Sequence, residues 1–168
     1  MGKLTGKVAI VTGAGGGLGR AHAMLLAHEG AAVIVNDLGG SRDGTGSGSS
    51  MADTVVDEIK AAGGQAAANY GSVTDDGAAE SMVKSAVDNF GRLDILINNA
   101  GILRDRSFKN MTDAEWDAVI DVHLRGSYLA TKHAWQQMMS QGEGGRIIMT
   151  SSTSGLIGNF GQANYGAA

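Results

Sequence analysis

At 168 residues, 43% hydrophobic and 18% charged, the chain is long enough for one domain with its own core and has the composition of an ordinary globular protein. A net charge of -4 without a basic cluster argues against nucleic acid as a partner, and no apolar run approaches the ~20 residues needed to cross a bilayer. Cysteine is absent, which removes disulfides, thiolate metal ligands and a cysteine nucleophile, and suits a cytoplasmic protein; the amino terminus does not read as a secretory signal.

The apolar runs alternate between strand and helix signatures. Residues 7–12 (KVAIVT) form a short run closed by glycines, which predicts a buried strand. A helix is expected over 18–29, with Leu18, Ala21, Leu25 and Leu26 making the apolar contacts and Gly30 ending it. A second strand over 32–37 ends at Asp37. Residues 38–50 (LGGSRDGTGSGSS) are rich in Gly and Ser and predict a mobile surface loop, either a plain insertion or a rim near the adenosine end of a cofactor.

Further on, a helix is predicted over 51–62 with Val55, Val56 and Ile59 on one face, and a weak strand over 65–69. The helix over 75–90 opens with acidic residues, which suit its positive end. A strongly apolar strand follows over 93–97. Residues 112–141 form one long helical pattern, opened by Thr112 and Glu115 at capping-box spacing. A fifth strand lies over 146–149. Strands separated by helices imply a parallel sheet covered on both faces, a doubly wound α/β fold of Rossmann type. His22, His28 and His133 show no ligand spacing, so no metal is expected, and Trp116 and Trp135 read as packing residues. Nothing in the sequence explains the complete lack of proline.

The turn Thr12-Gly13-Ala14-Gly15-Gly16-Gly17-Leu18-Gly19 joins the first strand to the first helix. Residues without a Cβ let bare backbone approach a pyrophosphate where free N–H groups and the helix dipole favour anions. Asp37 stands near the separation expected of a carboxylate that accepts hydrogen bonds from ribose hydroxyls. The same carboxylate would repel a 2′-phosphate, so NAD is expected in preference to NADP.

These residues resemble a family. TGAGGGLG is similar to the Thr-Gly-x-x-x-Gly-x-Gly turn of short-chain dehydrogenases/reductases. Asn98-Asn99-Ala100-Gly101 is similar to the family's Asn-Asn-Ala-Gly motif, and Ser152 and Tyr165 to its catalytic serine and tyrosine. The stretches VNDLGG, GILRDRSF and GQANY resemble the (3R)-hydroxyacyl-CoA dehydrogenase and 3-oxoacyl-carrier-protein reductase branch. The resemblance implies that Gly13, Gly17, Leu18 and Gly19 line the pyrophosphate and that Asp37 holds the adenine ribose. Ser72 and Val73 would sit beside the adenine, and Asn99 beside the nicotinamide ribose. Ser152 would polarise a substrate carbonyl or alcohol, and Tyr165 would be the general acid/base.

The implied substrate is a small molecule, a 3-hydroxyacyl or 3-oxoacyl thioester such as an acyl-CoA, and the implied assembly of the full-length parent is a homo-oligomer. A phenol of ordinary pKa ~10 is a poor base at neutral pH, so a nearby cation has to stabilise its phenolate. The family supplies a lysine four residues after the tyrosine, one position past Ala168. Residues 1–168 are therefore expected to be one NAD-binding domain, incomplete at its carboxyl end, without the family's last strands and helices. Weak or absent turnover is expected of this chain alone, with a non-catalytic nucleotide-binding half-domain as the alternative. A marginal fold with an open fifth-strand edge is expected too. The long helix carries His123 where the family often has an asparagine that holds a water of the proton relay. Two readings stay open for it, a relay residue and a packed or capping histidine.

Overall fold

Burial on both faces turns the central apolar runs into parallel strands. The computed structural model describes residues 2–168. Strands β1 (Val8–Thr12), β2 (Ala32–Asn36), β3 (Gln65–Asn69), β4 (Ile95–Asn98) and β5 (Arg146–Met149) lie in the order β3-β2-β1-β4-β5, and every neighbouring pair is parallel. Helices α1 (Gly17–His28), α2 (Ser50–Ala61) and α3 (Asp76–Phe90) alternate with the first four strands. The long helical pattern is one continuous segment: α4 (Asp113–Ile120), a π-helical turn (Asp121–Arg125) and α5 (Gly126–Gln141). Thr112 and Glu115 close the expected capping box at its start. Two short helices, α6 (Thr153–Ile157) and α7 (Ala163–Ala167), follow β5. The doubly wound α/β class read from the sequence is the one observed.

The pleat divides the core in two. Val8, Ile10 and Ile34 face α3 and α5, against Met82, Leu129 and Met138. Ala9, Val11, Val33 and Val35 face α1 and α2, against Ala23, Val55 and Ile59. No helix among the described residues is long and apolar enough to cross a membrane.

The packing face of α1 differs from expectation. Leu18 and Leu25 are 69% and 60% exposed, and the buried residues are Gly19, Ala23 and Ala27. These small residues recur every four positions, so they form one stripe that brings α1 closer to the sheet than leucines would permit. Strand β4 starts at Ile95 instead of Leu93, because Asp94 turns into a cluster of charges described below. Trp135 is largely exposed and not a packing residue, while Trp116 is half-buried.

The chain runs β1, β2, β3 outward to one edge, then crosses back to place β4 on the other side of β1. The strand order thus reverses between β1 and β4. In open parallel sheets this reversal opens a crevice at the carboxyl ends of the strands.

Candidate active site at the carboxyl ends of the strands

The crevice is held by Thr12, the last residue of β1. Its hydroxyl accepts hydrogen bonds from the Asn99 and Ala100 N–H groups, each at 3.0 Å, and donates to the Ile97 carbonyl. The Asn99 side-chain amide donates to the carbonyls of Thr12 (3.0 Å) and Gly13 (3.1 Å). Asn99 therefore ties the end of β4 to the glycine turn, in addition to lining the cleft where the nicotinamide ribose was expected.

Each glycine of the turn has a separate reason. Gly13 has φ +62, and a Cβ there would stand 2.8 Å from Ala100 Cα. A Cβ on Gly19 would stand 2.1 Å from the Gly13 carbonyl oxygen, so α1 can seat only on a glycine. Gly17 has φ +51 with no atom in reach of a would-be Cβ, so it faces open space. Gly16 opens α1 without any side-chain cap, whereas Asp75 caps α3 and Thr112 caps α4. The first turn of α1 thus keeps free N–H groups beside an open, side-chain-free cradle, which is what an anion needs.

Asp37 follows β2 directly and fixes two backbones at once. Its Oδ2 accepts from the Gly15 N–H and its Oδ1 from the Gly39 N–H, both at 2.7 Å. The carboxylate lines a cleft of about 640 Å³ together with Gly13, Gly16, Gly17, Ser72 and Val73. The Ser72 hydroxyl shares a hydrogen bond with Thr74 Oγ1 at 2.9 Å. Val73 is also part of the core, packed where Gly126 leaves no room for a side chain.

The Gly/Ser segment is more closed than the mobile loop its composition predicted. The Ser41 and Gly48 N–H groups donate to the carbonyls of Thr45 and Leu38. The Asp43 carboxylate collects the Ser41 hydroxyl, the Thr45 hydroxyl and the Thr45 N–H. These hydrogen bonds, with a smaller contribution from Arg104, hold the Asp43 carboxyl far below the usual carboxylate range. The loop lies on the rim of the cleft, where the Leu103 N–H donates to the Arg42 carbonyl at 2.9 Å.

A second cavity, of about 960 Å³, adjoins the first and is lined by Asn98, His123, Ser152 and Tyr165. The expected catalytic serine and tyrosine and His123 are therefore brought together. Ser152 is the cap of α6, its Oγ accepting the Ser154 N–H at 3.1 Å. Tyr165 rides on α7, which the fully buried Asn164 anchors: its side-chain amide donates to the carbonyls of Arg104 and Glu115, each at 3.0 Å.

His123 comes from the π-helical turn. Its ring meets the Tyr165 ring edge-on, with centroids 5.0 Å apart and 77° between planes. Nε2 stands 2.9 Å from both the N–H and the carbonyl oxygen of Ile102. A Cβ on Gly101 would meet this ring at 2.5 Å. Burial lowers the His123 pKa, outweighing the Ile102 hydrogen bond that raises it, so the neutral imidazole is favoured. The ring is thus packed between Gly101, Ile102 and Tyr165.

Thr12 and Asn164 shape the site, and neither was singled out from the sequence. Thr12 had a readable signal, a hydroxyl residue ending a buried strand before glycine. Asn164 had none, since its partners are 60 and 49 residues away.

Comparison with known proteins agrees with this geometry. The family model for the short chain dehydrogenases matches residues 7–168. The mouse peroxisomal multifunctional enzyme type 2 is 59% identical over 99% of this chain and 22% of its own length. The hydroxyacyl-CoA dehydrogenase ChsB1 of Mycobacterium tuberculosis is 49% identical over 98% of this chain and 53% of its own. The chain thus spans between about a fifth and a half of the length of these relatives. A crystal structure of a short chain dehydrogenase from Mycobacterium avium superposes with a TM-score of 0.90 at 51% identity, covering 99% of this chain and 59% of that one. With a matching fold, a glycine-lined crevice at the strand reversal and sequence agreement along nearly its whole length, this chain belongs to the short chain dehydrogenase family.

Proposed function

We propose that the protein is an NAD-dependent oxidoreductase that interconverts a secondary alcohol and a ketone, with a 3-hydroxyacyl or 3-oxoacyl thioester as substrate. The observation that carries this reading is the pair of adjoining cavities, one lined by the glycine turn and Asp37, the other by Ser152 and Tyr165. The residues fit a dinucleotide: α1 opens uncapped on a cradle that side chains leave empty, and Asp37 borders the same cleft.

When bound, the nicotinamide supplies or accepts the hydride. The chain's own residues would do the rest. The backbone of Gly16 and Gly17 would face the phosphates, and Asp37 would accept from the ribose hydroxyls, which disfavours a 2′-phosphate at that point. The Ser152 hydroxyl would donate to the substrate oxygen and stabilise the charge that develops there. The Tyr165 hydroxyl would give its proton to that oxygen in reduction and take it back in oxidation. His123 would act as a positioning residue, holding Gly101 and Ile102 against Tyr165. The thioester substrate is supported by the name of the ChsB1 relative and by the 960 Å³ available around Ser152 and Tyr165.

A second reading is a nucleotide-binding unit without turnover: the glycine turn and Asp37 line a cleft of their own, which could hold a nucleotide whatever happens at Tyr165. The cysteine-free composition supports a reducing compartment, for which we favour the cytoplasm. Exposed Trp135 and Met139 on α5 support a homo-oligomer, checked by sedimentation.

Fluorescence titration with NADH and NADPH, followed by absorbance at 340 nm with NAD and a 3-hydroxyacyl-CoA, tests both readings. Tighter NADH than NADPH binding is expected. Turnover that falls about 10²–10⁴-fold in Tyr165→Phe supports the oxidoreductase. NADH binding without turnover selects the second reading, and no NADH binding sinks both.

A further inference from the structure

Five residues line both cavities: Arg42, Asn99, Ala100, Gly101 and Ile102. The last four are one stretch after β4 and form the passage between the two spaces. Arg42 joins them from the 38–50 loop and is the only charged member of the set. Its guanidinium makes no ion pair among the described residues. The neighbouring carboxylate, Asp43, is turned inward on Ser41 and Thr45 and leaves Arg42 free.

The loop presents Arg42 in a defined place. The Arg42 carbonyl accepts the Leu103 N–H, and Gly44, at φ +80, sits where a Cβ would come within 3.1 Å of the Ile102 side chain. Asp37 holds the start of the loop through Gly39. A second arginine, Arg104, lines the same cleft as the glycine turn, and among the described residues its buried Nε has no hydrogen-bond partner. The carboxylates lining the same cleft are Asp37 and Asp121.

A dinucleotide lying from Asp37 to Tyr165 would run from the first cavity into the second, and its doubly charged pyrophosphate, facing the glycine turn, would lie in the cleft that Arg42 borders. We propose that Arg42, with Arg104 beside it, binds the cofactor's pyrophosphate, so that the 38–50 loop is part of the anion site and not a plain insertion. This inference rests on the dinucleotide reading above. The glycine turn offers neutral N–H donors to the phosphates, and Arg42 adds a charge-assisted, forked donor that a glycine turn lacks.

The test compares the unaltered chain with Arg42→Gln and Arg42→Lys by calorimetric titration with NADH, ADP-ribose and adenosine. ADP-ribose keeps the pyrophosphate and lacks nicotinamide; adenosine lacks both. Arg42→Gln should weaken NADH and ADP-ribose about tenfold, in line with loss of one charge-assisted contact, and leave adenosine unchanged. Arg42→Lys should recover part of the loss, and the affinity of the unaltered chain for ADP-ribose should depend more steeply on salt than that of Arg42→Gln. Because Arg42 is exposed, its replacement should leave the thermal transition in place, which circular dichroism checks. Unchanged ADP-ribose affinity in Arg42→Gln overturns the inference. So does a loss confined to NADPH or to coenzyme A, each titrated alongside, which would put the arginine on a ribose phosphate or on a substrate phosphate instead. If the unaltered chain binds NADH and ADP-ribose not at all, the dinucleotide reading itself fails.

Discussion

At the amino ends of the strands the charged groups satisfy one another; at the carboxyl ends the side chains tie the loops together, but the first turn of α1 and Arg42 are left for something else. Asp94 is 5% exposed and accepts from Lys7 Nζ (3.1 Å), the Val8 N–H (3.0 Å) and both Nε (2.8 Å) and Nη2 (2.7 Å) of Arg92. The Gln141 amide bonds both the N–H and the carbonyl of Leu93 at 2.8 Å, and Arg92 reaches on to Glu143. Burial pushes the Asp94 carboxyl up, yet Arg92, the Val8 N–H and Lys7 together pull it below the ordinary range. At the opposite end, among the described residues, no side chain caps α1, Arg42 makes no ion pair and glycines keep the surface bare. One sheet thus keeps a saturated end that stabilises it and an unsaturated end that can take a ligand.

The largest expected effect falls on the open end. Gly19→Ala would place a Cβ against backbone that cannot yield, costing about 3 kcal/mol of stability, as overpacking against a rigid neighbour does. NADH affinity should fall more than tenfold with it; denaturant midpoints and NADH titration report the two separately. Stability equal to that of the unaltered chain would mean α1 can seat without the glycine.

At the closed end, Asp94→Asn should cost about 2 kcal/mol, because Arg92 and Lys7 lose a buried anion but are exposed enough to find water. NADH affinity should stay within about twofold, an expectation that follows from the additivity of distant sites. Coupled loss of binding would break the separation between the two ends.

The smallest effect is in pH. The folded-state pKa of His123 is lowered, so the unfolded chain takes up its proton first. Stability should be full above about pH 6.5, the unperturbed histidine value, and decline as pH falls from there toward the lowered folded value. The Asp94 contribution, present above the unfolded aspartate pKa of about 3.9, is lost only as pH falls through its lowered value. Thermal midpoints measured from pH 8 to pH 3 should show the two declines in that order, with the first diminished in His123→Gln.

Much of this was legible in the sequence, for local reasons. The strands announce themselves by apolar runs, and the β5 range of Arg146–Met149 and the Thr112–Glu115 box are local patterns. Gly13, Gly17 and Gly19 are legible because a backbone requirement leaves few alternatives to glycine. What failed was the facing of side chains. Leu18 and Leu25 look like core residues until the depth of Gly19 in the sheet is known, and then only small residues fit beneath α1. The closure of the 38–50 loop was hidden because Gly and Ser also make flexible linkers; Asp43 decides it by gathering Ser41 and Thr45. The role of Asn164 rests on contacts far apart in sequence, which no window along the chain contains.

The stripe of small residues beneath α1 makes the helix a lever. Gly19, Ala23 and Ala27 are its bearing surface, and the cradle formed by Gly16 and Gly17 is at its tip. Ala27 lies eight residues beyond Gly19, about 12 Å along a helix rising 1.5 Å per residue. A larger side chain there would lift the far end of the rod and swing the tip, so residue size two turns from the cleft would set how closely the backbone N–H groups could approach a bound anion.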